Sequence, residues 1–356
     1  MQVCALTTGL NQPSSRFRWR QYVPFLERAG IRSTELYTRW GAYPPRSHAM
    51  RPLWLLANSI EIPKLVREAN RYQIRFLQRE MISTMCSGEF FLKSPFIFDV
   101  DDAIFLDQRF KGVDRIANRA TLVICGNEFL ADYFGRLADT VILPTAVDTV
   151  RFHPKADMKR QRVIGWSGSS SGLCYLYSIE PALQAVLERF PDVSLRIVSD
   201  QRPAFSIVSS ARVDFQYWRP ETEVAAIQDL SVGIMPLSDG PWERGKCSFK
   251  MLTYMAVGIP VVVSAVAMNN TILGKGNAGI AVRTTDEWVD ALTLMLTHEA
   301  RAHQMGSIGR EIVEANYAAS IVGPKLACML SRQGSHQIVV NGDGNILANL
   351  VIWRIR

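Results

Sequence analysis

Residues 236–262 read PLSDGPWERGKCSFKMLTYMAVGIPVV. The apolar run SVGIMPL, from Ser231, leads into this polar loop rich in Gly and Pro. A short amphipathic stretch follows, then the turn Gly258-Ile259-Pro260 and a second apolar run, IPVVVSAVA. Strand, loop, helix, turn and strand make the repeating unit of a parallel sheet, whose strands are covered on both faces and therefore read as short continuous apolar runs.

The same alternation recurs outward in both directions. Towards the N-terminus lie VCALTTG (from Val3), IRSTELYT (Ile31), QIRFLQRE (Gln73), FIFDVDDAIF (Phe96), ATLVICGN (Ala120) and TVILPTAV (Thr140). In the second half lie VIGWSG (Val163), SLRIVSD (Ser194), VDFQYW (Val213) and AGIAVRT (Ala278). Helical patterns separate them at 18–30, ended by Gly30; at 53–72, with a break near Pro63; and at 173–190, 221–230, 286–296, 299–316 and 319–330. The expected class is α/β: two Rossmann-like doubly wound domains facing each other across a cleft. Residues 147–162, VDTVRFHPKADMKRQR, interrupt the alternation with a polar, basic stretch. The expected division is 1–150, a linker at 151–162, a second domain at 163–332 and a tail at 333–356.

At 356 residues the chain exceeds one ordinary core. Its 48% hydrophobic and 21% charged residues are those of a folded protein. The net charge of +7 favours an anionic partner, but the basic residues are scattered apart from Arg16, Arg18 and Arg20, which argues against nucleic acid. The six cysteines contain no C-x-x-C pair and read as buried free thiols of a reducing compartment. MQVCALTTGL reads as a first buried strand rather than a signal peptide, and no apolar run reaches membrane-span length. The expected location is the cytoplasm, the basic surplus permitting peripheral contact with the anionic inner face of a membrane.

Ligands of open parallel sheets bind beyond the carboxyl ends of the strands. Four such loops carry chemistry. Residues 165–172, GWSGSSSG, follow the first strand of the second half. Their glycines allow close backbone approach, and the N–H groups around Ser167, Gly168 and Ser169 suit a phosphate, although neither a P-loop nor G-x-G-x-x-G is present. In residues 236–262, Glu243, Lys246, Lys250 and Thr253 recur at spacings of three, four and three, as on one face of a helix and its entry turn. There the two lysines could neutralise a diphosphate. The alternative is a solvated charged face. Asp99-Val100-Asp101-Asp102 crowd three carboxylates after a strand, readable as a metal site, as acceptor recognition or base chemistry, or as an exposed turn. Residues 7–16 form a polar loop in which Gly9, Arg16 and nearby Arg18 could contact an anionic acceptor. His298 and His303 stand five apart and do not match the zinc-protease spacing.

These stretches, in this order, resemble the retaining glycosyltransferases of family 4, the group 1 class with the GT-B fold. The likeness is carried by PSSRFRWRQYVPFLERAGI, FIFDVDDAIF, NEFLADYF with VDTVRFHP, IGWSGSSSGLCYL, VGIMPLSDGPWERGKCSFKMLTYMAVGIPVV and EWVDALTLMLTHEARAHQMGSIGREIVEANY. It implies transfer from a nucleotide-diphosphate sugar, with retention, to a glycan, lipid-linked or protein acceptor, as in polysaccharide assembly. It implies no cofactor and no obligatory metal, the leaving diphosphate being stabilised electrostatically. The assignment it suggests is Asp101, Asp102, Glu243, Lys246 and Lys250 for catalysis. The donor would fall to Ser167, Gly168, Ser169, Thr253, Pro236 and Leu237, and the acceptor to Gly9, Arg16 and Arg18. The chain departs from the family in three places. Of two glutamates separated by seven residues, at least one is missing: setting Glu243 against Met251 keeps one, and setting Gly245 against Thr253 keeps none. Residues 167–172 lack the usual Arg and Lys, and a histidine of the first domain is replaced by Asp101-Asp102. A catalytically degenerate nucleotide-sugar-binding module is the alternative reading.

Overall fold

Strand β1 (Gln2–Leu6) has Val3, Cys4, Ala5 and Leu6 all shielded from water, the condition of a strand covered on both faces. It lies inside a parallel sheet with β2 (Arg32–Leu36), β3 (Ile74–Gln78), β4 (Phe96–Val100), β5 (Leu122–Cys125) and β6 (Thr140–Ile142), in the order β2-β1-β3-β4-β5-β6. A second parallel sheet has the order β12-β11-β10-β7-β8-β9. Its strands are β7 (Val163–Ser167), β8 (Ser194–Ser199), β9 (Val213–Tyr217), β10 (Val232–Met235), β11 (Val261–Ser264) and β12 (Gly279–Val282). The protein is described by a computed structural model, in which residues 1–335 are placed apart from residues 11, 46, 84, 86, 108–111 and 156–161.

All twelve apolar runs form strands, and the chain has two Rossmann-like α/β domains. Strand order reverses between β1 and β3 in one sheet and between β7 and β10 in the other. At such switch points the loops diverge and leave a crevice.

The chain divides into two units, Met1–Thr145 with Gly245–Cys247 and the segment from Ala319, and Ala146–Arg244 with Ser248–Ala318. The helix Ala319–Ser335, which the sequence pattern grouped with the second half, packs in the first unit on the helix Val23–Arg28: a Cβ added at Gly323 would stand 2.6 Å from Phe25 Cδ2. Of the stretch expected as a linker, residues 156–161 lie outside the described residues, as does the tail from residue 336. Residues before 156 pack within the second unit. Phe152 is fully buried, and the Arg310 guanidinium donates to Thr149 O at 3.0 Å and to Phe152 O at 2.6 Å.

Two helices differ from their expected form. Instead of one helix over 18–30 there are Pro13–Arg18, a 3-10 turn at Arg20–Tyr22 and Val23–Arg28, with Gly30 at φ +73° turning the chain into β2. The helix Arg51–Ala69 runs through Pro63 without a break. Pro63 is exposed, so the carbonyl it leaves unpaired one turn earlier is open to water.

Ala commonly stabilises a helix interior relative to Gly by about 0.5–1 kcal/mol. At Gly323 the Phe25 ring and Cβ stand within 3.0 Å of the added carbon, and overpacking costs about 1–3 kcal/mol. Gly323→Ala is therefore expected to destabilise the protein, lowering the urea midpoint.

Candidate functional site

In the first unit, the chemistry collects where β1, β3 and β4 end. The loop after β1 is held from within. Gly9 takes φ +131°, and its carbonyl accepts from Arg20 Nη2 at 3.0 Å while Arg20 Nε donates to Glu35 at 2.7 Å. Ser15 Oγ donates to Gln78 at the end of β3, and Gln78 Nε2 donates back to Ser14 O at 2.7 Å. The loop is thus fixed to the sheet by side chains from a neighbouring strand.

Arg18 does not face an acceptor. It is buried and donates to both carboxylate oxygens of Asp99, from Nε at 2.8 Å and from Nη2 at 2.5 Å, and from Nη1 to Leu143 O and Thr145 Oγ1. Arg16 is half-buried, its guanidinium 4.7 Å from the centre of the Phe17 ring.

The crowding of Asp99, Asp101 and Asp102 is resolved by partners. Asp99 takes Arg18. Asp101 accepts from Ser14 Oγ at 2.6 Å and faces Arg79 Nε at 3.8 Å. Asp102 accepts from Arg79 Nη1 at 3.2 Å and lies 3.8 Å from Lys246 Nζ. Burial pushes the Asp102 carboxyl above the usual range, against the pull of Arg79 and Lys246. Lys246 belongs to this unit, where its carbonyl accepts from Asn127 Nδ2 at 3.1 Å.

Arg79 was not singled out by its sequence context. It follows β3 directly, at φ +55°, with its N–H donated to Asp99 O at 2.9 Å. Its place beside β1 at the switch point is the signal that would have found it. Next to it, Glu80 is 5% exposed, and its Oε2 has no hydrogen-bond partner among the described residues. Burial, only partly offset by Arg79, raises its carboxyl above the ordinary value of 4.5.

In the second unit the loop after β7 and the helix Phe249–Ala256 after β10 converge. The indole of Trp166, at the end of β7, lies under Lys250 Nζ at 4.5 Å from the ring centre. A Cβ at Gly168 would stand 2.5 Å from Nζ, and one at Gly172 would stand 3.3 Å away. Those two glycines therefore make room for the lysine. Tyr254, from the same helix, lies across β10 because Gly233 has no side chain to displace it, the missing Cβ falling 2.4 Å from the ring. Its hydroxyl accepts the Ser167 N–H at 2.7 Å.

The backbone donors expected to face a phosphate are engaged within the unit. Ser167 N–H goes to Tyr254, Gly168 N–H to Val198 O and Gly172 N–H to Ser169 O. Ser170 donates through both N–H and Oγ to Asp200, a carboxylate the sequence reading did not select. The Ser169 hydroxyl meets that of Ser171 at 2.8 Å.

Nor do Glu243, Lys246, Lys250 and Thr253 share one helical face. Glu243 sits in a separate four-residue turn, Pro241–Arg244, and accepts from Tyr175 Oη. Lys246 lies in the loop. Ser248, at φ +51°, redirects the chain before the helix begins. Thr253 is buried, with its hydroxyl donated back to Lys250 O at 2.7 Å. Pro236 is buried, and Leu237 N–H donates to Ser264 Oγ at 2.9 Å.

Residues 161–298 match the family described as glycosyl transferases group 1. The second half is thus similar to group 1 glycosyltransferases. Sucrose-phosphate synthase from Thermosynechococcus elongatus has a TM-score of 0.72 at 15% identity, over 94% of this chain and 99% of that one. Anabaena HepE, solved in complex with UDP and glucose, has a TM-score of 0.68 at 14% identity, over 93% and 100%. The pneumococcal O-GlcNAc transferase GtfA, solved with UDP and GlcNAc, has a TM-score of 0.59 at 11% identity, over 78% and 60%. At these identities the likeness is one of fold, the pair of Rossmann-like domains called GT-B. No curated protein matches the chain in sequence.

Within the group 1 segment, Tyr254→Phe leaves the Ser167 N–H without its partner and is expected to cost about 1–3 kcal/mol in chemical denaturation. In the first unit, Glu80 holds its proton more tightly folded than unfolded. Its contribution to stability is therefore fully present below about pH 4.5, falls as pH rises through the raised folded value and then levels off. Glu80→Gln is expected to remove that fall, so that denaturant titrations across pH show the variant gaining on the native protein only at higher pH.

Proposed function

We propose that this chain is a glycosyltransferase that moves a sugar from a nucleotide-diphosphate donor to a glycan, lipid-linked or protein acceptor, with retention at the anomeric carbon. The observation that carries the reading is the Lys250 ammonium, held over Trp166 between Gly168 and Gly172 at the switch point of the sheet, inside the segment that matches group 1 glycosyl transferases. UDP-glucose bound to HepE and UDP with GlcNAc bound to GtfA, proteins of similar fold, support the donor class.

In this reading the second unit holds the donor. Lys250 draws on the negative charge that develops on the diphosphate as the glycosidic bond breaks, an interaction that strengthens towards the transition state. With most backbone N–H groups of residues 167–172 already engaged, side-chain cations carry this charge, and no bound metal is required. Lys246 belongs to the first unit, where it pairs with Asp102. In the first unit, Asp101 and Asp102 are the carboxylates that meet acceptor hydroxyls, with Arg79 fixing both. Retention follows from the family resemblance of the sequence. Surface-glycan assembly at the inner face of a membrane is the setting this chemistry suggests.

Lys250→Ala is expected to weaken binding of UDP-sugars at least about tenfold, the loss of one charge-assisted contact, while the melting temperature stays near that of the native protein. Calorimetric titration against a panel of nucleotide sugars reads this. Unchanged affinity would remove Lys250 from the site. Proton NMR of the first product should show the donor's anomeric configuration retained.

A further inference from the structure

The helix Arg51–Ala69 carries apolar residues on its outer face as well as its buried one. Trp54, Asn58, Ile62, Val66 and Ala69 form its buried stripe. The opposite stripe would ordinarily be polar. Here it carries Leu53, Leu56 and Ile60, which are 51%, 59% and 55% exposed, and Pro63, also exposed. Lys64 and Arg67 continue the same outer face and are exposed. Met50, just ahead of the helix, is 51% exposed. Trp54 Nε1 donates to Trp40 O and Gly41 O, both at 3.0 Å, which holds the exposed Trp40 segment at the N-terminal end of the helix.

The acids of this helix take no part in that face. Glu61 accepts from Thr38 Oγ1 and from the Arg39 N–H, and Glu68 takes Arg71 at 2.8 Å. The Arg39 guanidinium faces the Glu61 carboxylate as well, at 3.8 Å. The outer face is therefore apolar and cationic, with no negative side chain projecting from it. A second copy of the same face would supply no counter-charge, whereas a layer of anionic headgroups over acyl chains would match both properties. Among the described residues no helix is long and apolar enough to cross a membrane, so such contact would lie along the surface.

We propose that the outer face of Arg51–Ala69 is a docking surface for an anionic lipid bilayer. Leu53, Leu56 and Ile60 enter the headgroup–acyl boundary, and Lys64 and Arg67 lie against lipid phosphates. The proposal is independent of the sugar-transfer reading, because lipid binding is measured without donor or acceptor.

The test is co-sedimentation of the full chain with unilamellar vesicles of phosphatidylcholine alone or with added phosphatidylglycerol. The native protein should partition onto the phosphatidylglycerol vesicles and be released by salt. Lys64→Gln with Arg67→Gln should weaken partition about 30-fold, the effect of losing two cations near the surface. Leu56→Ser with Ile60→Ser should weaken it while leaving the melting curve unchanged, since both side chains are exposed. Failure of the native protein to bind anionic vesicles would overturn the proposal, as would binding by both double variants as tight as that of the native protein. A dimer seen by analytical ultracentrifugation and abolished by Leu56→Ser with Ile60→Ser would also overturn it, assigning the face to a second copy.

Discussion

The hydrogen bond from the Ser167 N–H to the Tyr254 hydroxyl ties the end of β7 to the helix that follows β10. It spans the point where strand order reverses, where no backbone ladder continues beyond the strand ends. Its geometry depends on Gly233, whose bare backbone admits the tyrosine ring. Once the helix is fixed there, Lys250, four positions before Tyr254 and one turn away, comes to rest on Trp166, and Gly168 and Gly172 leave room for its ammonium. A single polar contact between distant parts of the chain thus places the cation on which the proposed chemistry relies. It does so on a helix at the carboxyl ends of the two central strands, β7 and β10, rather than on a free loop.

The first unit handles charge differently. Its three neighbouring carboxylates would repel one another if left alone. Each is met by a donor or cation from another element: Asp99 by Arg18, Asp101 by Ser14 and Asp102 by Arg79 with Lys246. The Arg18–Asp99 pair is fully desolvated and bidentate, a geometry that fixes orientation more than it adds stability. The more exposed partners, Asp102 and Lys246, remain where a ligand could exchange with them.

The central strands were legible in the sequence as continuous apolar runs such as FIFDV or VVVS, because strands covered on both faces must be apolar throughout. The edge strands β2 and β9, RSTEL and VDFQY, are only partly buried and were legible from the strand–helix alternation around them. The loops after them were legible as places. What was not legible is which partner each polar group takes. Arg18 and Asp99 are 81 positions apart, and Ser167 and Tyr254 are 87 apart. No local pattern encodes such pairings. The same limit explains why the glycines of residues 165–172 suggested a phosphate seat when two of them accommodate a lysine, and why Asp200 over Ser170 went unnoticed. The spacing of Glu243, Lys246, Lys250 and Thr253 mimicked a helical face because Ser248 is not a residue type that usually announces a left-handed turn.

The placement of the last described helix, Ala319–Ser335, on Val23–Arg28 bears on how the chain can be divided. Because this helix and Gly245–Cys247 complete the first unit, no single cut yields two self-sufficient modules. A fragment ending near residue 150 would bare Phe25 and lack the segment that contributes Lys246. Excising the second unit as one contiguous piece would still carry residues 245–247 away with it. Modular exchange of second units between relatives, simple for beads on a string, would here require the recipient to supply both returning segments.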